Sequence, residues 1–375
     1  MHKGNEYLAA IGTTVGTIIG AGILALPYAI SKTGFWYGLL IFLLVGLASV
    51  FITLYTAELS FRERRMHQLP VMVGKYLGNK FKLSVLILQM LTIYGAMIAY
   101  LVGLGIALVL IFSIPYYIAV LIVFLLTLPL IYEGYDAIEI SETPLSVIKI
   151  LLLLAVSAII LLSLSPRNLN YFNFKNFLEP FGVVLFALTS FTVIPEVKEE
   201  VGNDPRKLER AIIISYIISI LIYAVFSAAF IGAFGQSVAS IATNSITSGT
   251  MSLILILTTI FLLITPYLAL GLVIVDAFFY DFGLSRMKSL LLGVWIPFFV
   301  AIIHPTFEGV LSITGGVFIS LLAILILAAV VVGRLKERKR NTYRVAGGIS
   351  MIIFTGAIMI IGLIWTLTYL YLQVI

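Results

Sequence analysis

The stretch Gly12-Thr13-Thr14-Val15-Gly16-Thr17-Ile18-Ile19-Gly20-Ala21-Gly22-Ile23-Leu24-Ala25-Leu26-Pro27 decides how the rest of this 375-residue chain is read. It is apolar enough to enter a bilayer, yet four glycines and three threonines crowd its centre. A glycine costs about 1 kcal/mol against alanine in a helix interior, so the segment is weakly committed to staying wound. Two readings are open at this point. Gly12, Gly16 and Gly20, spaced by four, suit close packing against a neighbouring helix. Alternatively the helix is interrupted and its freed backbone groups line a polar cavity, because hydrocarbon does not tolerate them.

The surrounding composition supplies the setting. Hydrophobic residues make up 61% of the chain and charged residues 11%, with a mean hydropathy of +1.15. A soluble chain carries about a quarter charged residues, so a soluble enzyme is excluded. Apolar runs of spanning length predict eleven membrane helices near 7–31, 35–61, 81–112, 115–132, 143–164, 179–200, 209–234, 249–281, 288–303, 308–333 and 345–372. The first is too long for a cleavable signal peptide and has no small-residue cleavage site. There are no cysteines, which excludes disulfides, thiolate metal sites and a cysteine nucleophile. Three histidines leave little room for a metal centre, and no cofactor is expected. No Walker-type phosphate loop is present, which argues against a nucleotide-driven pump.

The net charge of +6 is a topology signal rather than a nucleic-acid footprint. With the N-terminus inside, the inner segments hold Lys3, Arg62, Arg64, Arg65, Lys75, Lys80, Lys82, Lys198, Arg206, Lys207, Arg210, Arg286, Lys288, Arg334, Lys336, Arg338, Lys339, Arg340 and Arg344. The outer side holds only Lys32, Arg167 and Lys175. The positive-inside rule therefore predicts a multi-pass plasma-membrane protein with a cytoplasmic N-terminus and, for an odd number of spans, an extracellular C-terminus. The lipid bilayer is the expected surrounding, with no nucleic acid and no obligate protein partner.

A second interruption falls in the sixth span: Phe186-Ala187-Leu188-Thr189-Ser190-Phe191-Thr192-Val193-Ile194-Pro195-Glu196. Three hydroxyl residues and a proline sit together, and an ordinary proline kink is the plain alternative. The first and sixth spans lie five helices apart and run in opposite directions. Paired breaks in corresponding positions point to the midplane site of a secondary transporter. This predicts an all-α fold of two five-helix inverted repeats, residues 1–164 and 165–333, followed by a basic inner loop and an eleventh helix over 334–375. Freed N–H groups at a half-helix start suit a carboxylate, and freed carbonyls at a half-helix end suit an ammonium. A zwitterionic amino acid needs both.

Gly20-Ala21-Gly22 with Ile23-Leu24-Ala25-Leu26-Pro27 resembles the first helix of amino acid permeases. Phe186-Ala187-Leu188-Thr189-Ser190-Phe191 is similar to their sixth, as are Glu196, Glu199-Glu200, Asn203-Asp204-Pro205-Arg206 and Arg210-Ala211. Lys75-Tyr76-Leu77-Gly78, Tyr94-Gly95-Ala96 and Ala99-Tyr100-Leu101 look like the third helix region of the amino acid/auxin branch. The chain thus resembles the amino acid–polyamine–organocation superfamily, on its amino acid/auxin or aromatic amino acid permease side. The resemblance implies the leucine-transporter type of fold. It implies a substrate site at Thr17, Ile19, Gly20, Ala21 and Gly22 of the first span and Phe186, Ala187, Thr189 and Ser190 of the sixth. The family's aromatic gate maps to Phe186 or Phe191. Ser190 stands where many relatives have glycine, which bears on the width of the pocket.

Lys149, in Pro144-Leu145-Ser146-Val147-Ile148-Lys149-Ile150-Leu151, is the one basic residue left inside a span. It lies about 7–8 Å into its helix from Pro144 at 1.5 Å per residue, so its stem can snorkel to the inner interface. Ionisable residues in spans are functional candidates by default. The resemblance implies a lysine that substitutes for sodium near the first and eighth helices, and hence a coupling proton carried by Lys149. Sodium coupling is the rival, through backbone oxygens near Gly16 and Ile19 with hydroxyls of Thr258, Thr259 and Thr265.

Other residues carry weaker signals. Tyr94 is favoured over Tyr100 as a pocket wall because Gly95 adjoins it. Tyr267 lines the cavity or merely packs. Glu58 and Arg62 form an i,i+4 pair at the interface. Asp276 and Asp281 are expected to be solvated, with a gate pair to Arg286 or Arg206 as the alternative, and the run Glu133, Asp136, Glu139 and Glu142 to stay in solvent. An integral-membrane enzyme would want clustered ionisable groups, and His304 with Glu308 lacks partners. A channel would want a polar pore stripe, which is not evident. The expected function is proton-coupled import of a neutral, aliphatic or aromatic, amino acid by alternating access. A sodium-coupled symporter and a passive channel or facilitator are the alternatives.

Overall fold

Apolar backbone in a bilayer must satisfy its own N–H and C=O groups, and helices are the way this chain does it. The computed structural model describes residues 3–63, 67–133, 142–303, 306–336 and 343–374, and among them there are helices and turns but no strands. Arg64, Arg65, Asp136, Glu139, His304, Arg338, Lys339 and Arg340 lie outside the described residues.

The first span is broken into α1 (Lys3–Ile18) and α2 (Gly22–Thr33), which meet at 54°. Gly34 turns the chain with φ 96°; a Cβ there would run into the Tyr171 carbonyl. The single helix α3 (Phe35–Phe61) follows, then a short helix, α4 (Leu69–Leu77). It starts at a proline-bearing first turn. The helices α5 (Asn79–Phe112), α6 (Tyr116–Glu133) and α7 (Glu142–Leu161) complete the first half.

The sixth span is α8 (Phe181–Ala187) and α9 (Ile194–Glu200), joined through a 3₁₀ turn at Phe191–Val193. The break falls at Leu188–Ser190, ahead of Pro195, which sits in the first turn of α9. A proline kink is therefore not what interrupts this helix. Thr189 donates its hydroxyl back to the Leu185 carbonyl at 2.6 Å, the kind of local bond by which hydroxyl residues compete with helical geometry.

Then come α10 (Pro205–Phe234), α11 (Gly249–Asp276), α12 (Arg286–Leu290), α13 (Ile296–Ile302), α14 (Phe307–Ile313), α15 (Ser320–Lys336) and α16 (Gly348–Val374). Five-residue π-turns end α11 and join α12 to α13, and a six-residue π-turn, Thr314–Ile319, joins α14 to α15.

Among the described residues eight helical runs are long and apolar enough to cross a membrane, and the bent α1–α2 pair raises this to nine. Of the other two expected spans, α7 is a 20-residue helix that is apolar over Val147–Leu161, and the run through α12 and α13 is short and carries a π-turn.

Packing places the two breaks side by side. α10 lies against α1, α2, α3 and α7, while α5 runs through the middle against α6, α11, α13, α14 and the π-turn of the tenth span. α2 and α8 touch directly. α16 is the peripheral helix, with 22% of its apolar window buried.

Candidate functional site

The two interruptions meet at Gly22 and Ala187. A Cβ built on Gly22 would stand 2.5 Å from both Cα and Cβ of Ala187, so only glycine lets the start of α2 touch the end of α8. Gly20 has more room, its nearest neighbour for a Cβ being the Tyr100 hydroxyl at 3.6 Å. Ile19, Ala21, Gly22, Ala187, Ser190 and Phe191 are buried, and Gly20, Phe186 and Thr189 are half-buried. The structure thus gathers most of the expected site residues around one junction.

Thr17 and Tyr94 stand apart from it. Thr17 is exposed and its hydroxyl returns to the Thr13 carbonyl of its own helix at 2.8 Å. The Tyr94 hydroxyl donates to the Leu292 carbonyl at 2.8 Å, in the π-turn of the ninth span. Tyr100, six residues further along α5, is the tyrosine beside the break. Ser190 does not narrow a pocket: its hydroxyl is fully buried and donates to the Tyr216 oxygen at 3.1 Å. Of the two aromatic gate positions, Phe186 is the one with an accessible face. The backbone beside it is crowded by the tenth span, since a Cβ on Gly315 would lie 2.8 Å from the Phe186 nitrogen.

The sequence reading missed two tyrosines of α10. Tyr223 reaches both breaks: its hydroxyl lies in hydrogen-bond range of the Ile18 carbonyl, the last of α1, and 3.3 Å from the Ala187 carbonyl, the last of α8. Tyr216 donates to the Leu188 carbonyl at 2.8 Å and shares a hydrogen bond with the Thr53 hydroxyl of α3 at 2.8 Å. Both tyrosines are almost fully buried. Their spacing of seven, two helical turns, with Ser215 and Ser219 on either side of Tyr216, was the available signal: a hydroxyl-bearing stripe inside an otherwise apolar span.

The other halves of the broken spans, α1 and α9, are also tied. The Thr13 hydroxyl donates to Glu200 Oε1 at 2.8 Å, linking α1 to α9. Lys198 of α9 is buried and donates to the Ser60 carbonyl at 2.7 Å, at the end of α3, with its ammonium 5.0 Å from the Phe61 ring centre. Cations favour that end of a helix, where carbonyls lack partners.

Glu58 forms the expected pair with Arg62, Nη2 to Oε1 at 2.8 Å, and both side chains are fully buried within the protein. Arg334 of α15 adds bonds of 2.8 Å from Nε and 2.5 Å from Nη2, and the Val345 amide donates to Oε2 at 2.9 Å. One carboxylate therefore joins α3, α15 and the segment leading into α16. Asp276 is not left to solvent either; it pairs with Arg286, which also donates to the Ile131 and Tyr132 carbonyls of α6. Arg206 takes no part, its amide capping onto Asp204. Of Asp281 and Glu142 only the backbone is described.

Lys149 is half-buried on α7, which packs against α10, α11 and α1. Two of the three α11 hydroxyls proposed for sodium are turned to their own backbone, Thr258 to Ile254 at 2.8 Å and Thr259 to Leu255 at 3.0 Å. The Thr265 hydroxyl is buried without a hydrogen-bond partner. Tyr267 is buried on α11, a helix that packs against α5 and α6. Glu308 and Glu179 line a cavity of about 260 Å³ with Tyr28 and Tyr369.

The described residues thus form an all-helical membrane protein in which two interrupted helices meet at one junction. The sequence profile of the tryptophan/tyrosine permease family matches residues 3–367, and the chain belongs to that family. Among solved structures it is similar to a manganese transporter of Eremococcus coleocola, crystallised in complex with an aromatic bis-isothiourea substituted compound. The TM-score is 0.66 at 15% identity, over 96% of this chain and 86% of that one, a likeness that speaks for the fold alone. No curated protein matches the chain in sequence.

Proposed function

We propose that this permease imports an aromatic amino acid, tryptophan or tyrosine, across the plasma membrane by proton-coupled alternating access. The observation that carries the reading is the convergence of two half-helix ends, the Ile18 and Ala187 carbonyls, on a single point at Tyr223. A substrate ammonium placed there meets the negative ends of α1 and α8 together, while the start of α2 offers N–H groups to the carboxylate. The aromatic side chain then lies along the accessible face of Phe186 and toward Tyr100. Among the described residues the junction gathers no carboxylate that would favour a basic side chain.

The two halves, 1–164 and 165–333, act as inverted repeats, with 334–375 appended, and the relationship extends to the amino acid–polyamine–organocation superfamily. The basic side faces the cytoplasm, which puts the N-terminus inside and the C-terminus outside. Lys149 takes the coupling proton, because desolvation makes a lysine readier to lose it. In the protonated form its charge does the work of a sodium ion between α7, α1 and α11. Sodium keeps one supporting observation, the unpartnered Thr265 hydroxyl.

Uptake into proteoliposomes across an amino acid panel, with pH and sodium gradients imposed separately, tests this. One proton per substrate supports about tenfold accumulation for each pH unit. Lys149→Ala is expected to bring accumulation down to about equal concentrations on both sides while leaving exchange measurable. Full pH-driven accumulation by the variant, or stimulation by sodium alone, would remove Lys149 from the mechanism. Uptake of leucine in preference to tryptophan would remove the aromatic substrate.

A further inference from the structure

The Tyr223 hydroxyl has one proton to donate and two carbonyls to give it to, one from each broken span. Each carbonyl is the last of a half-helix, so it has lost its helical donor and carries the negative end of the local dipole. Tyr223 is fully buried, so carbonyls short of donors at this place are costly; the Ile18 carbonyl also accepts from the Gly20 amide at 2.9 Å. α10, which carries the tyrosine, is an uninterrupted helix of 30 residues packed on α1, α2 and α3. It holds the hydroxyl steady while the pieces around it rearrange.

We propose that Tyr223 is a positioning residue that takes the place of the substrate ammonium whenever no substrate is bound, and yields the two carbonyls when substrate arrives. This deepens the proposed function and rests on its placement of the ammonium. An ammonium brings three donors where the phenol brings one, so it satisfies both carbonyls together and displaces a donor that can serve only one of them well. Tyr216 also has two carbonyls in range, Leu188 at 2.8 Å and Ser49 of α3 at 3.3 Å, but only one of them belongs to a broken span, and its oxygen is further met by Ser190 and Thr53. In the empty carrier Tyr223 thus holds the broken spans in register for the return step.

Removing the hydroxyl weakens the empty state and leaves the loaded state nearly untouched. For Tyr223→Phe the half-saturation concentration for tryptophan is expected to fall about fivefold, the worth of one hydrogen bond. Counterflow exchange, which uses only the loaded carrier, is retained. Net pH-driven uptake, which needs the empty carrier to return, falls by a similar factor. A tyrosine that only packs predicts parallel loss of exchange and net uptake, and that result, or no change in either, overturns the proposal. If the phenylalanine variant aggregates, 3-fluorotyrosine incorporated at 223 keeps the shape and makes the phenol a stronger donor. Half-saturation should then rise, and an unchanged or lowered value overturns the proposal. Wild-type protein that takes up no aromatic amino acid overturns the proposed function itself, whereas wild-type uptake with parallel losses in the variant overturns only the role of Tyr223.

Discussion

Gly22→Ala is expected to abolish uptake, by a factor of a hundred or more. The added methyl would stand 2.5 Å from two carbon atoms of Ala187, one of them backbone, and 3.2 Å from its nitrogen. Carbon atoms rest at about 3.5–4.0 Å, so α2 and α8 must part by about 1 Å. No flexible side-chain tip is available to give way instead. The overpacking itself costs about 1–3 kcal/mol, which leaves a chain that still folds. The larger effect is on the junction: the Ile18 and Ala187 carbonyls no longer face one point, and a misplacement of that size is ruinous for a site built on backbone atoms. Initial rates of labelled tryptophan uptake, normalised to monodisperse protein, measure it. Gly20→Ala is the control, since its methyl meets only the Tyr100 hydroxyl at an ordinary 3.6 Å. Uptake by Gly22→Ala within twofold of wild type would mean that the contact of the two breaks does not matter for transport.

Glu58→Gln should destabilise the protein by about 3–5 kcal/mol, the usual cost of breaking a buried ion pair by removing one partner. The substitution preserves size and removes the charge that holds Arg62 and Arg334 together. Arg62 is 2% exposed, so its guanidinium cannot turn to water. The amide also offers a single acceptor oxygen in place of two, while Arg62, Arg334 and the Val345 amide all donate. A lower melting temperature in detergent and a lower yield from membranes are the expected results. Glu58→Gln combined with Arg334→Met should recover part of the loss, because one unpaired charge goes with it. A Glu58→Gln protein that melts like wild type would show that the cluster adds nothing to stability.

What could be read from the chain alone was what neighbouring residues decide. The glycines of the first span and the hydroxyls at Thr189 and Ser190 weaken their own helix, and both breaks are visible without knowing the fold. The Glu58–Arg62 pair is one helical turn and was equally legible. The arrangement around it was not. Arg334 and Val345 reach Glu58 only because α15 and α16 pack on α3, and no local pattern in either segment announces it. The tyrosines of α10 are a similar case. A tyrosine inside a span suits packing, an interface or a pocket, and only the meeting of α1, α8 and α10 selects among these. Tyr94 was preferred to Tyr100 because of the adjoining glycine, yet Gly95 serves a different contact: a Cβ there would collide with the Thr314 side chain of the tenth span. Small residues mark close approach without saying to what.

The π-turn at Thr314–Ile319 has a consequence for how this sequence can change. A π-turn holds one residue more than the α-helical turn it replaces. Deleting a single residue there would return the tenth span to regular winding and leave what lies beyond it facing the same way. A deletion in the regular helix between Ser320 and Arg334 would instead rotate everything after it by about 100° and carry the Arg334 guanidinium off Glu58. Single-residue deletions in this span are therefore expected to survive in lineages at the π-turn and not in the helix that follows it.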